Sequence, residues 1–305
     1  MAKRLILNCD DFGQSAPANA AIMHLLEERR VSSATIMTPA VGFEEAAAWC
    51  RRHPEASIGL HLTFTSEYDA VRFKSLTGRP SLHDADGYMY HTVAEFEGGA
   101  AKADVVAEMR AQFDAAARAG VRLTHADNHM GSLYGIATGR SFLPQVFWQC
   151  ARRGLPFRLF RHIEPTEALT AGAPGIEAVL AKAVALSDTL GVPVPDYLLS
   201  HPYAIEPGET YESFKAMLIA KLYTLPEGVV ETYIHPAAED ATLGAQIPNW
   251  NKRVWEYRLM LDPDFAAAMK DAGVELTDYR FVNERLRRPR LSSAVRLGKL
   301  LLSGN

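Results

Sequence analysis

Apolar strand-like runs alternate with helical patterns along nearly the whole chain, and this alternation restricts the fold more than any other feature. Residues 4–9, 33–37, 57–62, 122–127, 157–160, 196–200, 229–234 and 274–279 read as strands. Residues 17–28, 43–52, 103–119, 141–153, 175–190, 210–222 and 254–272 read as helices, the last broken near Pro263. Hairpin signals are scarce, so the alternation implies a parallel sheet. Seven or eight such units predict a single-domain (β/α) barrel, TIM-barrel-like. An open doubly wound sheet satisfies the same alternation, because closure leaves no mark in a sequence. The barrel is expected over residues 1–282, with a basic tail over 283–305.

Bulk properties exclude some classes. The chain has 305 residues, 48% apolar and 22% charged, which is ordinary for a globular protein. A net charge of -4 gives no case for nucleic acid. The tail is the exception: Arg285, Arg287, Arg288, Arg290, Arg296 and Lys299 carry it, with no acid through Asn305. Leu291, Val295, Leu297, Leu300, Leu301 and Leu302 fall near helical spacing there. Such a tail could pack as a plain terminal helix or touch an anionic membrane surface. Three widely spaced cysteines, Cys9, Cys50 and Cys150, suggest a reducing compartment. Met1-Ala2-Lys3-Arg4 leads straight into a strand, and no apolar run is long enough for a membrane span. These features predict a cytoplasmic protein, at most peripheral to the inner membrane face.

The ionisable residues gather at strand ends. The first strand delivers Asp10 and Asp11, two adjacent carboxylates whose burial calls for a cation. One could bind a metal while the other serves as a base; a helix cap is the plain alternative. His61 closes the third run, and Thr124-His125-Ala126-Asp127-Asn128-His129 closes the fourth. Residues two apart share a strand face, so His125, Asp127 and His129 could line one side. His201-Pro202 and His235-Pro236 end the sixth and seventh runs. Asp10, Asp11, His61, His125, His129 and His235 would all lie at the C-terminal rim, the functional edge of such barrels. One Asp with two His and open positions is a ligand set typical of catalytic metals. The segment 66–99 is long, polar and aromatic-bearing, and fits a binding loop or a surface excursion equally. The Ala/Gly-rich stretch 168–181 reads as a helix with a loose start.

These motifs resemble one family. Asn8-Cys9-Asp10-Asp11-Phe12-Gly13, Gly59-Leu60-His61-Leu62-Thr63, Thr124 to His129, and Ile234-His235-Pro236 resemble, in order, the motifs of the YdjC/ChbG-type (HpnK-like) carbohydrate deacetylase family. The resemblance spans residues 3–282 and implies a (β/α) barrel related to polysaccharide deacetylases. It implies Asp11, His61 and His129 as ligands of one divalent ion. It implies Asp10 as the general base on metal-bound water and His235 as the general acid. His125, Asp127 and Arg158 would orient those ligands or touch substrate. The chain departs from the family pattern after His129, where Met130-Gly131-Ser132 follows, and over 164–228. Zinc suits Asp/His/His, whereas magnesium, described for some members, prefers oxygen.

The resulting expectation is a metal-dependent hydrolase that removes the N-acetyl group from an N-acetylated sugar, small glycan or glycolipid. The alternatives are another metallohydrolase on the same barrel (a cyclic amidase or a phosphoesterase) and a catalytically silent sugar-binding protein. A homodimer is compatible with the sequence.

Overall fold

The computed structural model describes residues 2–164 and 175–302. Seven strands form one parallel sheet: β1 (Lys3–Phe12), β2 (Ser33–Ile36), β3 (Ile58–Leu62), β4 (Leu123–Asn128), β5 (Tyr197–Leu199), β6 (Gly228–Ile234) and β7 (Val274–Leu276). The helices between β1 and β4 are α1 (Ala16–Glu27), α2 (Phe43–Arg52), α3 (Val93–Gly99) and α4 (Lys102–Arg118). Then come α5 (Leu143–Arg153), α6 (Ile176–Leu190), α7 (Tyr211–Thr224) and α8 (Leu243–Gln246). The chain continues through α9 (Trp250–Leu261), α10 (Pro263–Asp271), α11 (Tyr279–Arg285) and α12 (Arg290–Leu302). The predicted break near Pro263 separates α9 from α10, with Asp262 capping the second helix through the Asp264 amide. The start expected near residue 168 lies outside the described residues; α6 begins at Ile176.

The sheet is a curved half-barrel of order β4-β3-β2-β1-β6-β5, with β7 beside β1. It is not the closed ring of seven or eight strands that the sequence predicts. The reason is local chemistry. The expected strand at 157–160 makes a single bridge, Phe157 to Ala126, and on its other side only the Phe157 N–H donates to the Pro193 carbonyl; the bonds to Pro195 and Asp196 come from Arg161 and His162, past its end. Pro156, Pro193 and Pro195 have no N–H to donate, so no ladder can form across this gap. The eighth expected strand is shortened to Val274–Leu276, and Tyr279 already belongs to α11.

Alternation along each strand sorts the residues. Leu5, Leu7 and Cys9 of β1 join the main apolar core beneath the helices, as do Ala34, Ile36, Leu60, Ala126, Val230 and Ile234. The opposite faces are polar: Asn8, Asp10, Ser33, Thr35, His61, His125, Asp127 and Glu231 are all buried inside the half-barrel. Apolar side chains close only its floor, where Ile6 and Val229 meet Tyr279 and Val282 of α11. A buried polar column is tolerated only when its members bond one another, and here they do. Ser33 Oγ donates to Asn8 Oδ1 at 2.5 Å, and Asn8 Nδ2 donates to Asp10 Oδ1 at 2.8 Å.

Candidate active site

Simple alternation would point Asp10 and Asp11 to opposite faces of β1. A bulge prevents this. The register with β2 shifts between Cys9 and Phe12, and Asp11 takes the left-handed conformation at φ 65°. Bulges re-aim side chains at sheet rims, and a non-glycine residue holds such a φ only where its surroundings fix it. Asp11 is fixed: Arg253 Nη2 donates to its Oδ2 at 2.8 Å and Gln14 Nε2 to the same oxygen at 3.2 Å. Both carboxylates therefore reach the rim.

Asp11, His61 and His129 converge there. Asp11 Oδ1 is buried and accepts no hydrogen bond, while His61 Nε2 lies 3.5 Å from it and His129 Nδ1 3.4 Å. Ligands about 2.1 Å from a tetrahedral ion sit about 3.4 Å apart, so the three atoms fit a divalent metal. The remaining ring nitrogens are engaged. His61 Nδ1 lies 2.7 Å from Asp127 Oδ1, and His129 Nε2 lies 2.8 Å from Glu67 Oε2. A carboxylate behind each imidazole fixes the tautomer that leaves its inward nitrogen free to bind metal. Without an ion the cluster attracts protons. Burial opposes charge on His129, but Glu67 and Asp11 outweigh it and push its pKa up to about 10. His61 is raised in the same sense by Asp127 and Asp10, again against burial.

A second cluster, Asp10, His61 and Asp127, also has metal-like spacing. It holds a guanidinium instead. Arg158 Nη1 and Nη2 each donate at 2.7 Å to Asp10, Nη1 lies 2.9 Å from Asp127 Oδ2, and Nε donates to Glu231 at 2.8 Å. Tyr279 donates to the far oxygen of Glu231, tying the clamp to the floor. Burial raises the Asp10 pKa, but Arg158 overrides this and holds its carboxyl well below the usual range. Glu231, deeper and facing Asp127 and Asp10, is pushed up to about 7 mainly by burial.

His235 follows β6, with its ring edge-on to Tyr203 at 5.3 Å and Tyr233 at 5.7 Å. Its Nδ1 is buried and has no hydrogen-bond partner. Its backbone N–H donates to Glu256, whose other oxygen bonds His201. Burial lowers the His235 pKa, which Asp11, Glu256 and Asp10 partly counter.

The structure thus brings Asp10, Asp11, His61, Asp127, His129, Arg158 and His235 together. It does not bring His125, which sits lower in the half-barrel, stacked on Tyr279 at 3.7 Å and packed against Gly59. Its pKa is depressed by burial first and Arg158 second, so it is neutral. Sequence reasoning missed Glu67, Arg253, Glu231 and Tyr279. Glu67 could have been found, since it opens the long segment after β3. Arg253 lies inside α9, and nothing in its surroundings marks it.

The sequence model of the family described as YdjC-like protein matches residues 4–271. The chain belongs to that family. A carbohydrate deacetylase from Geobacillus stearothermophilus is 27% identical over 281 residues, covering 92% of this chain and 98% of the relative. One from Brevibacillus brevis is 28% identical, covering 76% and 94%. Among solved structures, a protein of Enterococcus faecalis assigned to cellobiose-phosphate cleavage superposes with a TM-score of 0.72 at 25% identity, covering 92% and 98%.

Proposed function

We propose that this protein is a metal-dependent hydrolase that removes the N-acetyl group from an N-acetylated sugar or small glycan. The observation that carries the reading is the orphaned Asp11 Oδ1 facing His61 Nε2 and His129 Nδ1, within a family whose relatives are carbohydrate deacetylases. Asp11, His61 and His129 would hold the ion, which would supply Lewis acidity toward an amide carbonyl and toward water. Asp10, ionised and oriented by Arg158, accepts the proton of the attacking water. The same clamp makes Asp10 a weak base, so its role depends on that water being acidified. His235 is neutral at rest through burial and becomes an acid only on gaining a proton in the reaction. That proton is the one Asp10 takes from water; the neighbouring carboxylates favour its arrival on His235, and the protonated ring then passes it to the departing amine. Asp127 and Glu67 orient the two histidines. Acetate and a free amine leave.

Acetate release from a panel of N-acetylated sugars tests this, using metal-stripped protein and protein restored with zinc or magnesium. Release that requires metal and that Asp10→Asn abolishes supports the reading. Metal-independent release would sink it.

A further inference from the structure

α12 presents two different faces. Ser293 is its buried residue, and Leu297 and Leu300 are half-buried where the helix lies along α6. Its start is anchored: Arg287 donates to the carbonyls of Gly191 at 3.0 Å and Gly154 at 3.2 Å, and Arg290 packs against Gly191. The helix is therefore docked on the half-barrel by one side. The other side is apolar too. Leu291, Val295 and Leu302 are 82%, 55% and 83% exposed. At about 100° per residue they fall within about 40° of one another. Of the twelve large apolar side chains exposed among the described residues, four lie between Leu291 and Leu302, so the patch is not background scatter. Exposed bases lie beside it: Lys299 and, further round, Arg296 on one side, with Arg285 and Arg288 just before the helix. No acid occurs from Arg285 onward, whereas the rest of the chain carries about -10 by formal count.

We propose that this outward face of α12 docks on the surface of an anionic lipid bilayer. The stripe enters the boundary between headgroups and acyl chains, and the bases meet lipid phosphates. The charge pattern selects this occupant. A second copy seated on the same face would set like charges against one another. Nucleic acid would satisfy the bases but leave Leu291, Val295 and Leu302 without a partner. No described helix is long and apolar enough to cross a membrane, so contact by this helix is peripheral.

Co-sedimentation of the full-length protein with phosphatidylglycerol/phosphatidylcholine vesicles, and with phosphatidylcholine alone, tests the proposal. Binding is expected to the anionic vesicles only and to weaken as salt rises. Arg288→Gln, Arg296→Gln and Lys299→Gln should each lower partitioning about fivefold. The triple variant Leu291→Ser, Val295→Ser, Leu302→Ser should abolish it while keeping the urea midpoint, because all three side chains are exposed. Equal partitioning onto both vesicle types, no partitioning, or triple and charge variants that match the parent would each overturn the proposal. So would a parent dimer that the triple variant converts to monomer without vesicle binding, since the face would then join two copies.

Discussion

Asp10 and Asp11 are neighbours in the chain but belong to two different clusters that share His61. Both clusters offer carboxylate and imidazole at metal-like spacing. The inner one is filled by Arg158, whose guanidinium bonds Asp10, Asp127 and Glu231. The outer one leaves Asp11 Oδ1 without a donor. The difference teaches that proximity of acids and histidines does not identify a metal site. What marks a candidate is an unspent acceptor whose neighbours are oriented toward it. The bulge at Asp11 creates the difference, since without it the second carboxylate would face the helices.

The largest expected effect separates the two aspartates. Asp11→Asn should remove bound metal, read by elemental analysis, and cut acetate release by at least about a thousandfold. Asp10→Asn should keep the metal and still lose about a hundred- to ten-thousandfold in rate. Equal metal loss in both variants would erase the distinction between the clusters.

Next in size is the clamp. Arg158→Met leaves three buried carboxylates without their shared cation, and breaking buried pairs costs about 3–5 kcal/mol. Urea unfolding of metal-free protein should show that loss. Added zinc should restore part of it, with bound metal rising toward two equivalents as an ion takes the guanidinium's place. Unchanged stability would mean that the interior tolerates the charges without Arg158.

Much of this site was legible because its groups stand at strand ends, where strand geometry and the rim rule act together. The positions of Asp10, Asp11, His61, His129 and His235 follow from runs that the pattern located within a few residues. Closure was not legible. Pro156, Pro193 and Pro195 could have warned that the fifth run makes no ladder, yet a short apolar run still reads as a strand. The interior clamp was harder still: Glu231 alternates correctly within β6 but is a lone acid in an apolar run. Arg253 reaches Asp11 from 242 residues away, a contact that no local pattern encodes.

A smaller effect tests orientation. Glu67→Gln should weaken metal binding about ten- to a hundredfold, because Glu67 holds the His129 tautomer. Glu231→Gln, which touches only the clamp side, should leave metal affinity unchanged. A matching loss in Glu231→Gln would show that the two clusters are energetically one.

The last expected effect is on the pH dependence of folding, whose slope should differ between metal-free and metal-loaded protein. His129 is raised to about 10 in the folded, metal-free state, against about 6.5 in an unfolded chain. A group raised on folding contributes stability that is complete below the unfolded value and is lost as pH climbs through the folded one. Metal-free protein should therefore lose stability progressively from about pH 6.5 to about pH 10. His61, raised as well, adds to the same trend. A bound ion must displace those protons, so the stabilisation it confers should grow with pH over the same window. Urea unfolding with and without chelator at both ends of the window measures the two slopes. Glu67→Gln should flatten the metal-free slope, since Glu67 is the main carboxylate that raises His129. Parallel slopes with and without metal would show that the ion does not occupy the place of the His129 proton, and would move the metal away from the outer cluster.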